Sequence, residues 1–268
     1  MVKKVVVSIP VHEEPLVVAD HLRNIKKFVP DSFVVLHASA DSPSPFKNIL
    51  NDMSKNEFDG FMYVNDISYH THAPNEAGSV YGLSTVHSSN FQFANKVISD
   101  FDVFALETSN DMFVRKGVER LWNNFKCGCG ARKNDLSAYR NVREKEVIDI
   151  LNIVIPLKTI EIHAQEGTFY PKEVFSEISN IILNKLGGFI AHEELVLHTL
   201  AFNLFPELYD SNCGEGYMFH NATHYATTNE DILKVKNGIL NNKYAVKRVP
   251  RRINDPCRIF VNKVNENE

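Results

Sequence analysis

The chain lacks most of the short motifs that name a chemistry outright. It has no G-x-x-x-x-G-K-[ST] and no G-x-G-x-x-G, so the phosphate-cradling loops of nucleotide hydrolases and dinucleotide oxidoreductases are missing. It has no G-x-S-x-G either, which weakens a serine hydrolase. Cysteine is scarce, with four in 268 residues and none in a C-x-x-C pair. Neither a disulfide framework nor a structural zinc site is expected from that. Cys127 and Cys129 stand too close in sequence to bridge each other comfortably. No apolar run approaches the roughly 18 residues that read as a membrane span. The opening ten residues, two lysines and then Val-Val-Val-Ser-Ile, are too short for a signal-peptide core. A reducing, cytoplasmic setting is the expectation. Internal repeats and low-complexity tracts are absent.

What is present is an ordinary globular composition, 44% hydrophobic and 23% charged, which excludes disorder and collagen-like structure. A chain of this length buries a sizeable core without staples. Its net charge of −4 hides an asymmetry. Residues 234–263 carry nine Lys/Arg against one acid, Asp255, a net of +8, while the remainder carries 20 bases against 32 acids, a net of −12. The basic stretch is either a solvated face or a seat for an anionic group such as phosphate. A long nucleic acid would be repelled by the acidic remainder.

Periodicity predicts a strand over 3–9 ending at Pro10, a helix over 16–28 with Pro15 in its first turn, and short strands over 33–36 and 60–64 around a helix at 46–53. Further along it predicts a helix over 80–98, a strand over 102–106, a helix over 112–125 and a surface loop over 127–135. An apolar run over 147–155, a strand over 159–163 and a helix over 171–186 stopped by Gly187-Gly188 follow. The last elements are a helix over 193–204, a strand over 218–227, a helix over 229–240 capped by Thr228 or Asn229, and a proline-broken basic segment over 245–261. Strands alternating with helices over the first 65 residues predict an α/β sheet with parallel strands. Ligands in such sheets sit beyond the carboxyl ends of the strands, so the loops over 10–14 and 37–41 are expected site walls.

Several constellations have a chemistry to offer. Glu193 and Glu194 open a helix, where carboxylates suit the helix dipole; capping and general-base readings both stay open. Gln165-Glu166-Gly167-Thr168-Phe169-Tyr170 puts polar groups, a glycine that permits close approach and aromatic faces after a strand. This is either a sugar-contacting loop or a tight turn. Asp100-Phe101-Asp102 matches a D-x-D metal motif, but it precedes its apolar strand instead of following it. Mg²⁺ or Mn²⁺ needs oxygen ligands at the carboxyl end. His70 and His72 lie in a loop with no helical H-x-x-x-H to support zinc. Lys247, Arg248, Arg251, Arg252 and Arg258 are placed to neutralise a diphosphate if the tail folds over the sheet edge.

Four stretches, in order, resemble glycosyltransferase family 14, the core-2/I-branching N-acetylglucosaminyltransferase and peptide O-xylosyltransferase family. They are Val7-Ser-Ile-Pro-Val-His-Glu-Glu-Pro15 with Val34-Val-Leu-His-Ala-Ser39; Ser88-Ser-Asn-Phe-Gln92 with Phe104 through Gly117; Gln165-Glu-Gly-Thr-Phe-Tyr170 with Ala191-His-Glu-Glu-Leu195 and Thr199; and Tyr244-Ala-Val-Lys-Arg248. The resemblance implies a GT-A-like (Rossmann-like), mainly parallel α/β sheet flanked by helices in a single domain. A nucleotide-sugar-binding half would span 1–115, and an acceptor half with the basic segment would span 150–268. It implies inversion at the anomeric carbon, a UDP-sugar donor, a glycan or glycoconjugate acceptor and no metal cofactor. By position, Glu194 matches the catalytic base and Lys247 the diphosphate-binding lysine. Pro10, His12, His37, Ser39 and Asp111 fall on the donor side, and Glu166, Gly167, Thr168, Tyr170 and Glu193 on the acceptor side. The family's second diphosphate residue, an arginine, falls near His224, so Arg248, Arg251 or Arg252 would take its place. A non-catalytic sugar- or nucleotide-binding module on the same fold is the rival reading. A glycoside hydrolase is disfavoured, because adjacent Glu193 and Glu194 on a helix do not face each other across a bond.

Overall fold

The computed structural model describes residues 2–12, 14–71, 82–130, 142–186, 193–211, 213–221 and 226–266. The expected helix stop at Gly187-Gly188 lies outside these residues, as do His72, His192 and His224.

The first half alternates as its pattern predicts. Strands β1 (Val5–Val11), β2 (Ser32–Ala38), β3 (Met62–Val64) and β4 (Val103–Leu106) are separated by helices α1 (Pro15–Phe28), α2 (Ser44–Lys55) and α3 (Leu83–Val97). All four strands pair in parallel, with β1 between β2 and β4. β1 continues through Pro10 to Val11, past its expected end, because its ladder with β4 stops at Ser8↔Leu106. The missing Pro10 N–H therefore falls where pairing on that side is over. Pro15 opens α1 as a first-turn residue, which costs nothing because that N–H has no helical partner.

The second half is less regular. β5 (Met112–Phe113) and α4 (Val118–Asn124) replace the single helix expected over 112–125. Gly117 at φ +98° sets the break between them. β6 (Cys127–Cys129), expected as surface loop, is an interior strand between β7 (Phe169–Pro171) and β8 (Cys213–Glu215). Its Gly128 has no room for a side chain because the Phe169 ring lies against it. The apolar run over 147–155 belongs to helix α5 (Val142–Val154).

The expected strand over 159–163 makes no ladder. Its backbone is satisfied by side chains of helix α7 (Glu193–Leu204): Lys158 N–H donates to Asn203 Oδ1 (2.6 Å) and Glu161 N–H to Thr199 Oγ1 (3.1 Å). Helix α6 (Lys172–Asn180) continues as a wider π-helical turn over Ile181–Lys185. After α8 (Pro206–Ser211), Met218–Phe219 of the expected strand over 218–227 forms β9, and 222–225 lie outside the described residues. Thr228 forms a capping box on α9 (Asn229–Lys236). The basic segment holds β10 (Ala245–Val246) and α10 (Pro256–Asn265).

The main sheet runs β3-β2-β1-β4-β7-β6-β8, with β7 antiparallel to β4, and a small sheet runs β5-β10-β9. This is the expected mixed, mainly parallel α/β architecture. One core lies on the α1, α2 and α4 face, built around Ile9, Leu22, Phe113 and Trp122. A second lies on the α3, α6 and α7 face, around Phe91, Phe104, Phe175 and Leu197. A third, smaller core docks α9 and α10 on β10 through Val235, Val246 and Val261. Strand order reverses between β1 and β4, and the crevice beyond their carboxyl ends is the position the topology reserves for a ligand. No helix among the described residues is long and apolar enough to cross a membrane.

Candidate functional site

The site is assembled at the carboxyl end of β4. Leu106 N–H donates to Thr168 O and Gly167 N–H to Leu106 O, both at 2.9 Å, so the 165–168 turn is laid across that strand end. Gly167 adopts φ +74°, and a side chain there would meet the Met218 backbone nitrogen at 2.5 Å. The turn therefore requires glycine, and it presents Glu166. Thr168 holds the turn from within, its hydroxyl donating to Ala164 O (3.2 Å) and accepting from Gly130 N–H (3.3 Å).

On the other side of β4 the chain turns through Thr108–Asp111. Asp111 Oδ2 accepts from Thr108 N–H (2.7 Å) and Thr108 Oγ1 (3.0 Å). The basic segment straps over this turn. Val249 N–H donates to Asn110 O (2.9 Å), Arg251 Nε to Ser109 Oγ (3.2 Å), and Lys247 N–H to Phe219 O (3.0 Å). Arg248 adopts a left-handed φ of +68° at the apex, an uncommon conformation for a residue with a side chain. The strap carries Lys247 to the strand end, where its ammonium pairs with Glu166 Oε1. The lysine side chain is 15% exposed and the glutamate 8%.

Three carboxyls crowd this one ammonium. Asp111 is fully buried, and burial together with the nearby Glu166 raises its carboxyl well above the usual range, with Lys247 opposing. Asp111 Oδ1 and Glu166 Oε2 are buried without a hydrogen-bond partner among the described residues. Behind them Glu107 accepts from Tyr217 Oη (2.7 Å) and lies 3.4 Å from His21 Nε2. Burial pushes Glu107 up to about 7, against the hydrogen bond from Tyr217. Burial thus favours the protonated form of Asp111 and Glu107 beside the Lys247–Glu166 ion pair.

Lys247 and Glu166 open onto a cavity of about 560 Å³ that extends toward β6 and β8, lined also by His163, His220, Cys129 and Cys213. His163 places Nδ1 3.1 Å from Gly130 O and Nε2 3.2 Å from Glu161 Oε2. Glu194 lies in the first turn of α7, buried, and its carbonyl accepts from His163 N–H (3.1 Å). Neither Glu194 nor the half-buried Glu193 lines the cavity; Glu194 is joined to its wall through this backbone bond to His163. Among the described residues, no group of three or more His, Cys, Asp or Glu side chains is arranged to hold a metal ion.

Other expected residues lie elsewhere. Tyr170 is fully buried in the core, its ring 5.3 Å from that of Phe175 and its hydroxyl 3.5 Å from His198 Nδ1. Its ring is consumed by packing and offers no face to a sugar. His37 accepts from Tyr69 N–H (2.8 Å) and is depressed to about 4 by burial, so it is a neutral support for the 65–71 loop. Ser39 accepts from Thr71 N–H (3.0 Å) and donates to Asp41. Pro10 is buried, while His12 lines a separate apolar pocket with Pro15, Pro43 and Phe46. Arg252 is exposed.

The residues that sequence reasoning missed are Glu107, His21, Tyr217, Glu161 and His163. A usable signal existed for Glu107, an acid immediately after the apolar run Val103–Leu106.

No family model matches the chain, and no curated protein matches it in sequence. Among solved structures it is similar to the mannosyltransferase PcManGT from Pyrobaculum calidifontis in complex with GDP-Man and Mn2+, at 14% identity and a TM-score of 0.44 over 80% of this chain. It spans 55% of that protein, about half its length. It is also similar to the galactosyltransferase LgtC in complex with donor and acceptor sugar analogs, at 9% identity and a TM-score of 0.49 over 98% of this chain and 95% of that one. An active-site mutant of LgtC matches at 8% identity and a TM-score of 0.49, over 97% and 94% of the two chains. At these values the likeness concerns the path of the chain and not its chemistry.

Proposed function

We propose that the chain is an inverting glycosyltransferase that moves GlcNAc or xylose from a UDP-sugar to a hydroxyl of a glycan acceptor, in the cytoplasm and without a metal. The observation that carries this reading is the Lys247 ammonium, delivered by the basic strap to the carboxyl end of β4 and paired there with Glu166 over buried Asp111. A fixed cation at that point can do for a diphosphate what a divalent ion does elsewhere. The donor diphosphate would displace Glu166 from Lys247, with Arg248, Arg251 or Arg252 flanking it. Asp111 would lie beneath the diphosphate on the donor side. Glu166, once released, would face the acceptor beside Glu193.

Glu194 would take the proton of the acceptor hydroxyl as its oxygen bonds to the anomeric carbon. The bond from that carbon to the phosphate oxygen breaks on the opposite face, and UDP leaves with the electron pair, its charge held by Lys247. General-base assistance is typically worth ~10²–10⁴ in rate. Glu194→Gln should therefore keep UDP binding and lose transfer by that order.

The unpartnered buried oxygens of Asp111 and Glu166 favour one other reading, a metal-dependent transferase in which they face a cation. A thermal-shift panel of UDP-, GDP- and CMP-sugars with and without EDTA, followed by a UDP-release assay over many acceptors, separates the readings. Selective stabilisation by UDP-sugars that survives EDTA, with acceptor-dependent UDP release, is the expected result. Loss of both in EDTA would establish the metal-dependent form. UDP binding with no release for any acceptor would leave a non-catalytic module.

A further inference from the structure

The far wall of the cavity is built from cysteines. β6 and β8 pair in parallel with Cys127 opposite Cys213, Gly128 opposite Gly214 and Cys129 opposite Glu215. Alternation puts Cys127, Cys129 and Cys213 on one face and the two glycines on the other. The glycine face is closed by the rings of Phe169 and Phe125, which leave no space for a β-carbon at Gly128 or Gly214. The register is therefore locked, since a slip of one residue would drive side chains into those rings. On the thiol face, Cys129 Sγ and Cys213 Sγ lie 3.1 Å apart. Both are half-buried and line the cavity, while Cys127 is buried and directs its thiol at Leu208 O (3.7 Å). All four cysteines of the chain are thiols.

The geometry points to a peroxide-sensitive dithiol in this wall, the Cys129–Cys213 pair, which hydrogen peroxide oxidises to a disulfide.

The surroundings favour a reactive thiolate in this pair. Contact with the Cys127 and Cys129 thiols lowers the Cys213 thiol from its ordinary value, and the nearby His163 adds to the effect. A thiolate at a cavity wall is the reactive form. Cys127 is held in its protonated state by the same contact and by burial. Cys257 lies away from the cavity with its thiol 3.5 Å from Thr227 O and is pushed up to about 11, chiefly by burial. It is an internal control for an unreactive cysteine.

The oxidant is hydrogen peroxide. The Cys213 thiolate attacks one peroxide oxygen, forming an S–O bond as the O–O bond breaks, and the departing hydroxide takes a proton to become water. Cys129 then attacks Cys213 Sγ. The S–S bond forms, the S–O bond breaks, and a second water leaves with the Cys129 proton. Two thiols and one peroxide give one disulfide and two waters; the sulfur pair loses two electrons and the peroxide gains them. The bridge would tie edge strand β8 to β6 across 84 residues of chain. It would remove two thiols from the cavity beside Lys247 and Glu166.

The test uses the reduced full chain, treated with hydrogen peroxide, trapped with iodoacetamide under denaturing conditions and mapped by peptide mass spectrometry. It reads thiol chemistry alone and does not depend on the transferase reading. The expected result is loss of two thiols per chain in a Cys129–Cys213 linked peptide, reversed by dithiothreitol, with Cys257 reacting at least roughly tenfold more slowly. Cys129→Ser should leave Cys213 as a sulfenic acid captured by dimedone, and Cys213→Ser should abolish the bridge. Retention of all four thiols under peroxide that oxidises free cysteine in the same tube would overturn the proposal. So would a bridge through Cys257. The wild-type map decides the matter even if a variant does not fold.

Discussion

In the half of the sheet built from β1 to β4, a helix separates each strand from the next and every strand pairs in parallel with a near neighbour, so local pattern and final position agree. In the half built from β6, β7 and β8, three strands of three residues each come together from distant parts of the chain, and the strap from β10 to α10 crosses the Thr108–Asp111 turn to dock on α1. The first half supplies a platform and few charged groups. The second supplies Glu166, His163, the cysteines and Lys247. Regular structure thus provides the position of the site, and irregular structure provides its chemistry.

The junction of the halves is the place to break this arrangement. Arg258 of α10 is fully buried, with Nη1 2.6 Å from Asp20 Oδ2 of α1 and Nε 3.1 Å from Pro250 O; Asn262 reaches the same aspartate at 2.9 Å. Arg258→Ala leaves Asp20 and a backbone carbonyl without their cation. It should cost ~3–5 kcal/mol of unfolding free energy by urea denaturation. A loss below about 1 kcal/mol would mean the strap is not held to the platform by this pair.

Lys247→Ala tests the chemical half with the dock intact. Removing a cation aimed at developing charge typically costs ~10²–10³ in rate. UDP-sugar turnover should fall by that order and UDP should bind more weakly in calorimetry. Unchanged UDP affinity would remove Lys247 from the donor site.

The same contrast explains what could be read from the sequence. The β-branched run Val5–Val11 announces a strand because burial on both faces needs no partner-specific residue. Glu193–Leu204 and the Thr228 cap carry their own signals. Cys127-Gly-Cys129 does not, because the apolar cover of Gly128 is Phe169, forty-one residues later. Thr159–His163 has a strand's composition, but its backbone partners are side chains on α7. Asp111 and Glu166 were legible as acids following expected strands, and Lys247 as part of the basic segment. Glu107, His21 and Tyr217 meet only through tertiary crossovers that no local window contains.

Glu107 gives a third, pH-dependent comparison between platform and site. Its carboxyl is raised from 4.5 to about 7 by burial, so the folded chain binds this proton more tightly than the unfolded chain. The stability it contributes is full below pH 4.5 and is lost as pH rises through about 7. Glu107→Gln keeps an acceptor for Tyr217 and removes the titration. The wild type should lose ~3 kcal/mol relative to the variant between pH 4 and pH 8. Parallel stability curves for the two would show that Glu107 binds its proton equally well in the folded and unfolded chains, with no shift from burial.

The smallest effect is expected at the opposite end of the sheet. Asp100 pairs with Lys4, and Asp102 accepts from Lys4 N–H (2.8 Å), so the D-x-D sequence sits at the amino ends of β1 and β4. The Lys4–Asp100 pair has the same ion chemistry as Lys247–Glu166, but its side chains are 53% and 80% exposed. Water and salt screen it, and two mobile side chains lose entropy to hold it. Asp100→Asn should move the thermal midpoint by less than about 2 °C and leave UDP-sugar turnover within about twofold. A large loss of turnover would place metal-ligating chemistry on the amino edge and reverse the assignment of the two ends. An unchanged enzyme beside a crippled Lys247→Ala would show that burial at the carboxyl end, not the presence of an ion pair, makes one of two similar pairs part of the site.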